Sequence, residues 1–375
     1  MLTRESLSDV KRIVVKLGTS TLTYSNGKLN LFRIEKLVRE LADISNSGKE
    51  IILVTSGAVG VGMDRLGLTE KPKTIPEKQA AAAVGQGILM HVYEKIFGEY
   101  GQTVAQVLLT REDSVNRKRY ANSRNALLTL LKMGVIPVIN ENDAVAVDEL
   151  KIGDNDTLSA TVAGIVDAEL LVILSDVEGV YTDNPSKNPA AKLIELITDI
   201  TPEIEALSGE PGSLRGTGGM YTKIQAGKIA MNSGMAMVIA SSSREGILRD
   251  ILSGVTIGTL FLPKENGLHI RKRWLAFGSR LHGSVTIDEG CEQALLADGS
   301  SLLAAGITAV EGDFDQGNTI RVLTTHGQEI ARGLVNYSAA DIEKIKGCHT
   351  HEIAGILGNK PYDEVIHRDN LALLV

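Results

Sequence analysis

Residues 153–160 read Gly-Asp-Asn-Asp-Thr-Leu-Ser-Ala, a polar cluster directly before an apolar run. The run repeats at helical spacing, with apolar residues at Leu158, Val162, Ile165 and Val166. The pattern predicts a loop entering a helix that is capped by Asn155 or Asp156. A helix N-terminus can hold an anion, or fix the carboxylates that organise cations around one. A single loop of this kind is most often only a polar cap, but comparable loops recur along the chain.

The comparable loops follow apolar runs that predict strands. Each of these runs is near-continuously apolar and carries its polar residues at its C-terminal end, which is typical of a parallel sheet covered on both faces. The predicted strands are residues 12–16, 51–54, 103–109, 135–139, 169–174, 236–240 and 258–262, and the predicted helices between them include 31–41, 77–100, 122–133 and 247–252.

Ligands of parallel sheets bind outside the carboxyl ends of the strands. Side chains at those ends should therefore line one crevice: Lys16, Ser56, Asp143, Ser175-Asp176 and the loop from Asp154 to Asp156. Thr55-Ser56-Gly57-Ala58-Val59-Gly60 is not a dinucleotide fingerprint, because the spacing G-x-G-x-x-G is absent.

Composition narrows the functional classes. The 375 residues carry a net charge of −7, which argues against a general nucleic-acid or membrane-surface binder. The chain has two cysteines, outside any C-x-x-C pair, so we expect a reduced, cytoplasmic setting. Residues 1–10 lack the apolar core of a signal peptide, and we expect no transmembrane helix.

A glycine-rich loop, Gly216-Thr-Gly-Gly-Met-Tyr-Thr-Lys223, follows a flexible stretch and ends where we expect Lys223 to begin a helix. It is not a Walker A motif, because G-x-x-x-x-G-K-[ST] is absent. Its glycines would let the backbone approach a nucleotide, and Lys223 would add a positive charge. A glycine linker is the alternative, which the lysine at the helix start disfavours.

Lys16 and Lys223 come from opposite ends of the first domain, and Asp156 could pair with both. This inventory suits phosphoryl transfer, which depends on positioning and charge neutralisation. None of the seven histidines falls in these loops. A carboxylate acceptor is already ionised at pH 7 and needs no base, so the pattern favours formation of an acyl phosphate. Asp143 or Asp154 could still serve as a base for a hydroxyl acceptor.

The pattern changes after the first domain, which we assign to residues 1–262. Residues 263–280 read as a linker with a basic cluster, and residues 281–375 as a small β-rich domain with a C-terminal tail. Up to Gly358 this domain has four basic and eleven acidic residues. His349 and His351 lie near Cys348, but too few ligands converge to form a zinc site.

Five motifs in order resemble the amino acid kinase family, and within it the members that phosphorylate glutamate: VKLGTS at 15–20, TSGA at 55–58, NEND at 140–143, GDND at 153–156 and GTGGM at 216–220. Gly306-Ile307 and residues 331–334 resemble a PUA domain. The resemblance implies an α/β fold, an αβα sandwich around a mainly parallel sheet, with a small PUA-like domain. It also implies transfer of the ATP γ-phosphoryl group to the side-chain carboxylate of L-glutamate, the first step of proline biosynthesis.

The resemblance implies roles for individual residues. Catalysis would rest on Lys16, Asp156 and Lys223, and L-glutamate would bind to Ser56, Asp143 and Asn155. ATP would contact Lys16, Ser175, Asp176, Thr217, Gly218, Gly219, Met220, Tyr221, Thr222 and Lys223. Mg²⁺ would arrive with ATP, held mainly by phosphates, with no separate protein metal site. Family members are homo-oligomers, here a dimer or tetramer, with proline as feedback inhibitor and channelling to the next dehydrogenase as a further expectation.

Two alternatives stay open at the level of sequence. Another amino acid kinase, such as acetylglutamate or aspartate kinase, is disfavoured by the Asp-Asn-Asp loop and the PUA-like tail. An RNA-binding protein is suggested by the PUA resemblance. RNA affinity depends heavily on basic surface, and this tail is acidic, which disfavours that alternative.

Overall fold

The computed structural model describes residues 3–24, 26–110, 112–113, 117–145, 154–185, 187–207, 219–264 and 281–374. The chain divides into two compact units, one up to residue 267 and one from residue 268. Each unit has its own apolar core. The predicted linker lies, from residue 265 onward, outside the described residues. Among the helices that the structure describes, none has the length and apolar character needed to cross a membrane.

The first unit is built on an eight-stranded sheet in the order β3-β4-β2-β1-β5-β7-β8-β6. Neighbouring strands are parallel except for β7 and β8. The strands are β1 Arg12–Leu17, β2 Glu50–Val54, β3 Val104–Leu109, β4 Ile136–Glu141, β5 Leu170–Ser175, β6 Leu196–Ile197, β7 Ala236–Ser241 and β8 Thr259–Phe261. The sequence predicted all of these except β6, whose two residues are too few to show a period.

Helices cover both faces of this sheet, which makes it an αβα sandwich. The helices are α1 Thr19–Leu22, α2 Leu31–Asn46, α3 Ala58–Leu66, α4 Ile75–Glu99, α5 Arg117–Lys132, α6 Asn155–Ile165, α7 Pro202–Ala206, α8 Met220–Asn232 and α9 Ile247–Leu252. Ile13 and Val15 of β1 pack into the core that holds α2, α4 and α9, whereas Val14 packs into the core that holds α6 and α8. Buried apolar residues on both faces explain why the strands read as continuous apolar runs.

Several boundaries differ from the sequence prediction, and helices α1, α3 and α7 were not predicted; three of the differences concern α5, α6 and α8. The cap of α6 is Asp154 rather than Asn155 or Asp156, because the Asp154 carboxylate accepts the free N–H groups of the first turn. Helix α8 begins at Met220 rather than at Lys223, since Gly219 is the last extended residue before it. Residues 117–120, expected in a charged loop, belong to α5.

The second unit contains a five-stranded sheet in the order β10-β9-β11-β12-β13. Its strands are β9 Leu281–Ile287, β10 Ile307–Gly312, β11 Thr319–Leu323, β12 Glu329–Leu334 and β13 Leu371–Leu373, and its helices are α10 Glu289–Asp298, α11 Ala339–Ile345 and α12 Ile353–Leu357. The four strands expected from the sequence are present. The three helices and β13 were not predicted, because they are short and lie among Gly and Asp turns.

Strand order positions the site. Strands β1 to β4 lie on one side of the first sheet and β5 to β8 on the other, so the direction in which the chain extends the sheet reverses between the adjacent strands β1 and β5. The Gly18 N–H donates to the Leu174 carbonyl at 3.3 Å, which holds their carboxyl ends together. A crevice at such a reversal is where ligands bind in open α/β sheets.

Candidate active site

Lys16 lies near the carboxyl end of β1, on the same face of the sheet as Val14, because side chains two residues apart share a face. That face is covered by α6 and α8, which brings the lysine against Asp156 of α6. The Lys16 Nζ lies 2.6 Å from the Asp156 Oδ1. Lys16 is 7% exposed and Asp156 is fully buried, so this ion pair is shielded from water.

The first turn of α8 supplies the other partners of the same carboxylate. The Lys223 Nζ lies 3.1 Å from the Asp156 Oδ2, and the Thr222 hydroxyl donates to that oxygen at 2.8 Å. Lys223 is 5% exposed. The structure therefore brings together Lys16, Asp156 and Lys223, which are far apart in sequence. They meet at the carboxyl ends of the strands, beside the point where the strand order reverses.

The side-chain charges of Lys16, Asp156 and Lys223 add up to one net positive charge. Burial by itself raises the pKa of Asp156, but the ammonium groups of Lys16 and Lys223 outweigh it, and the pKa lies below the ordinary aspartate value. Asp156 is therefore ionised at neutral pH. One carboxylate between two ammonium groups leaves one uncompensated positive charge in a low-dielectric setting, which favours binding of an anion such as a phosphate.

Asp154 holds the beginning of α6. Its Oδ1 accepts the N–H groups of Asp156 at 2.6 Å and Thr157 at 3.0 Å. Burial, and then repulsion by the Asp156 carboxylate, raise the pKa of Asp154 above its ordinary value. The two aspartates flanking Asn155 are thus electrostatically different. Among the described residues, Asp156 forms ion pairs with two lysines, whereas for Asp154 the attraction of Lys16 is outweighed by burial and by Asp156.

Asn155 joins the start of α6 to the ends of two strands. The two N–H groups of its Nδ2 are shared among three acceptors, the Thr55 carbonyl and the Ser56 hydroxyl, each at 2.8 Å, and the Asn140 Oδ1 at 3.1 Å. Ser56 is 8% exposed and precedes Gly57, which has a φ of 92° and leads into α3. Glycine suits that left-handed position, since a side chain there would be strained. Ser56 and Asn155, both expected to bind the acceptor, are therefore in direct contact.

The other expected site residues lie on the same sheet edge without a direct contact to Asp156 among the interactions described. Asp143 follows β4 and is partly buried. The Ser175 hydroxyl at the end of β5 donates to the exposed Asp176 carboxylate at 2.9 Å. Gly219 and Tyr221 are exposed at the start of α8, and Met220 beside them is partly buried. Thr217, Gly218 and Gly153 lie outside the described residues.

Two protein-family models match this sequence. A model of the amino acid kinase family matches residues 11–241, which is more than half of the sequence. The chain belongs to the amino acid kinase family. A model of the PUA domain matches residues 283–357. These matches confirm the family, the fold class and the PUA-like second domain that the sequence motifs indicated.

This amino acid kinase has relatives of nearly the same length. It is 56% identical over 371 residues to the Glutamate 5-kinase of Moorella thermoacetica, which covers 99% of this chain and 98% of that protein. It is 57% identical over 363 residues to the Glutamate 5-kinase of Caldanaerobacter subterraneus, covering 97% and 98%. The solved carbamate kinase from Giardia lamblia bound to AMP-PNP is 20% identical, with a TM-score of 0.50, and covers 68% of this chain and 100% of that one. The latter likeness concerns the fold alone.

Sequence reasoning missed the residues of α4 that support the site of this amino acid kinase. The Tyr93 hydroxyl lies 2.8 Å from the Thr55 hydroxyl, and both side chains are fully buried. The Gln86 Oε1 accepts from the Asn140 Nδ2 at 2.8 Å. The one available signal was a glutamine and a tyrosine, seven residues apart, within a helix otherwise rich in alanine and apolar residues.

Proposed function

We propose that the protein transfers the γ-phosphoryl group of ATP to the side-chain carboxylate of L-glutamate, giving L-glutamyl 5-phosphate in the first step of proline biosynthesis. Relatives 56% and 57% identical over almost the whole chain are named Glutamate 5-kinase. Membership of the amino acid kinase family supports the same reaction class.

The observation that carries the proposal is the buried set formed by Lys16, Asp156 and Lys223. A transferring phosphoryl group spreads negative charge over its oxygens, and fixed cations stabilise that charge without reorganising. Lys16 and Lys223 would supply the cations from two sides. Asp156, held by the start of α6, would keep both ammonium groups in place between turnovers.

The acceptor would bind beside this set, at Ser56, Asp143 and Asn155. The Ser56 oxygen already accepts from Asn155, so its own proton is available for donation to a carboxylate of glutamate. The Asp143 carboxylate can accept from an ammonium group, as an α-amino acid presents. No base is required, because the attacking carboxylate is ionised at pH 7.

ATP would bind at Ser175 and Asp176, at the carboxyl end of β5, and along residues Thr217 to Lys223, which lead into the first turn of α8. The site fits an anionic nucleotide, because the cap residue of α8, Gly219, has no side chain to accept from the first N–H groups of the helix, and these groups lie in the same turn as the buried Lys223. The part of the chain that the structure describes has no cluster of three or more potential metal ligands. Following the family resemblance, Mg²⁺, a hard cation that prefers oxygen, would arrive with ATP and be held mainly by the phosphates, where it neutralises their charge.

A turnover assay across an acceptor panel tests this proposal. Purified protein with ATP and Mg²⁺ would be given L-glutamate, N-acetylglutamate, aspartate and carbamate in turn, and both ADP release and acyl phosphate, trapped with hydroxylamine, would be measured. We expect both signals with L-glutamate alone. A preference for N-acetylglutamate or aspartate would instead favour another amino acid kinase, and ADP release without trapped product would argue against a carboxylate acceptor.

RNA binding is the alternative from a different class, suggested by the match of residues 283–357 to the PUA domain. Its test is a gel shift with bulk RNA at physiological salt. The four basic and eleven acidic residues between Leu281 and Gly358 favour no shift.

Further proposals rest on the family resemblance alone. We expect a homo-oligomer, a dimer or tetramer, that works in the cytoplasm and is inhibited by proline. Acyl phosphates are reactive, so channelling of the product to the dehydrogenase that consumes it would limit its loss to water. Size-exclusion chromatography with light scattering, and turnover at increasing proline, test the first and third of these expectations.

A further inference from the structure

Gln86 is a buried amide in α4, and the reaction proposed above gives it no role. It is 8% exposed and lies beside Gly85, where α4 approaches α3 so closely that a Cβ would stand 1.8 Å from the Ala58 carbonyl oxygen. Gln86 therefore lies where α4 packs against the beginning of α3, the helix that follows the loop carrying Ser56.

A chain of hydrogen-bonded amides, Asn155, Asn140 and Gln86, connects Gln86 to the proposed glutamate site. A backbone carbonyl determines which atom of each amide donates and which accepts. The Thr55 carbonyl can only accept, so the Asn155 atom facing it must be the amide nitrogen. The Asn140 atom facing that nitrogen, and also the Glu141 N–H, must then be its oxygen. The Asn140 nitrogen is left to donate to the Gln86 Oε1 at 2.8 Å. Gln86 is thus the terminal acceptor of the chain.

This chain of amides determines the direction in which the Ser56 hydroxyl can donate its proton. Because Asn155 donates to the Ser56 oxygen, the serine proton is directed away from Asn155 and can be donated to an anionic acceptor. If the Asn140 amide turned over, its nitrogen would face two donors, the Asn155 amide and the Glu141 N–H. Holding Asn140 in one orientation therefore keeps Asn155 and Ser56 in theirs.

Packing alone does not explain a glutamine at position 86. Its Nε2 is buried and has no hydrogen-bond partner among the residues that the structure describes. A buried donor without a partner is costly, and an apolar side chain of similar size would avoid that cost. The hydrogen bond that Gln86 accepts from Asn140 gives a reason for a polar residue at this position.

We propose that Gln86 is a positioning residue for glutamate binding, which acts through Asn140 on Asn155 and Ser56. The inference rests on the proposed function, since it assigns the Ser56 and Asn155 side to glutamate. Among the described interactions, the side chains of Lys16, Asp156 and Lys223 share no hydrogen bond with this chain of amides, so we expect the ATP side not to depend on Gln86.

The test is Gln86→Met in the full-length protein, with Leu89→Met as the control. Gln86→Met removes the acceptor at nearly constant volume, and Leu89→Met changes the same buried face of α4 without touching an amide. We expect Gln86→Met to raise KM for glutamate about tenfold, the loss expected for one hydrogen bond, with KM for ATP and kcat nearly unchanged. Its Tm should stay near that of the wild type, because one unpartnered buried donor replaces another. Leu89→Met should change neither KM.

The outcomes separate the inference from the function. A Gln86→Met protein that folds and keeps the wild-type KM for glutamate overturns the inference, as does one that loses thermal stability and shifts both KM values together. A second variant, Asn140→Ala, supplies a coupling test: adding Gln86→Met to it should change KM for glutamate no further, whereas multiplying effects would contradict action through Asn140. A wild-type protein that does not phosphorylate glutamate at all would reject the proposed function instead.

Discussion

Asp156 shares its two carboxylate oxygens between two lysines, and this division explains why a buried triad of charges is tolerated. A buried carboxylate without a partner costs several kcal/mol, and so does a buried ammonium group. Here each ammonium group has an oxygen of its own, at 2.6 Å for Lys16 and 3.1 Å for Lys223. Removing one lysine leaves a neutral pair, whereas removing the aspartate would leave two like charges close together.

Lys223→Ala should therefore keep the fold while abolishing most turnover. Asp156 retains Lys16 as a partner, but one of the two cations proposed to face the phosphoryl group is gone. We expect kcat to fall by about 100-fold or more, as for loss of a single donor to a developing charge. Lys228→Ala is the matched control on the same helix, because its pair with Glu205 is largely exposed and contributes little. Near-normal turnover of the Lys223 variant would remove it from the mechanism.

Asp143→Ala tests the acceptor side. Without this carboxylate, the ammonium group of glutamate loses its proposed partner, and KM for glutamate should rise about tenfold or more, while KM for ATP stays the same. Steady-state kinetics with each substrate varied in turn provide the measurement. An unchanged KM for glutamate would contradict the assignment of Asp143.

Asp154 offers a prediction about pH, because its pKa is raised by burial and by Asp156. A carboxyl whose pKa is higher in the folded chain stabilises the fold below its unfolded pKa, and this contribution is lost as the pH rises through the folded pKa. Asp154→Asn keeps a good N-cap without the charge, so its stability relative to the wild type should grow as the pH rises from about 4 toward 7. Asp154→Ala removes both the charge and the cap, so it should be about 1 kcal/mol less stable than Asp154→Asn at every pH in this range. Urea unfolding across that range measures both, and a difference independent of pH would contradict the raised pKa.

At the scale of single helices, the approach of α3 to α4 positions the proposed acceptor loop. The two helices meet through glycines, since a Cβ on Gly62 would lie 1.8 Å from the Ala81 carbonyl oxygen and one on Gly85 equally close to that of Ala58. Such a distance is far below van der Waals contact, so only glycine permits this packing. Helix α4 thereby comes close enough for Gln86 and Tyr93 to reach Asn140 and Thr55.

Gly85→Ala should push α3 and α4 apart. We expect a loss of about 1–3 kcal/mol in the free energy of unfolding, as for other overpacked cores, together with a higher KM for glutamate because the loop at Ser56 moves. Gly87→Ala is the control two residues along the same helix. A Cβ there meets nothing within 4 Å, so alanine should stabilise the helix by roughly 1 kcal/mol and leave KM unchanged. Equal behaviour of the two variants would argue against close packing as the reason for Gly85.

The elements also show which features the sequence could predict. Buried parallel strands read directly as apolar runs, and polar residues at their ends pointed to the crevice, because one physical arrangement produces both patterns. The pairing of Lys16 and Lys223 through Asp156 followed from charge alone. Gln86 and Tyr93 could not be found in this way, since a polar residue in an apolar helix does not indicate its partner. The cap at Asp154 was missed because adjacent Asp, Asn and Asp are equally good caps by type.

For the whole molecule, the division into two units places the proposed site residues in one unit and the PUA-like domain in the other. The cores of the two units share no buried residue. Every proposed site residue that the structure describes belongs to the first unit. The resemblance to a PUA domain therefore concerns a unit that contributes no assigned residue to the proposed reaction.

Deleting residues 281–375 should accordingly spare catalysis. The first unit keeps its eight-stranded sheet, both covering helix layers and the triad at Asp156, so we expect a cooperative thermal transition and kcat and KM values close to those of the full chain. Circular dichroism melting and the hydroxylamine assay measure fold and activity on the same sample, and the full-length protein is the control. A truncation that melts cooperatively but does not turn over would make the C-terminal unit part of the working site. Normal activity with altered proline sensitivity would instead give that unit a regulatory role, because only the response to the inhibitor would depend on it.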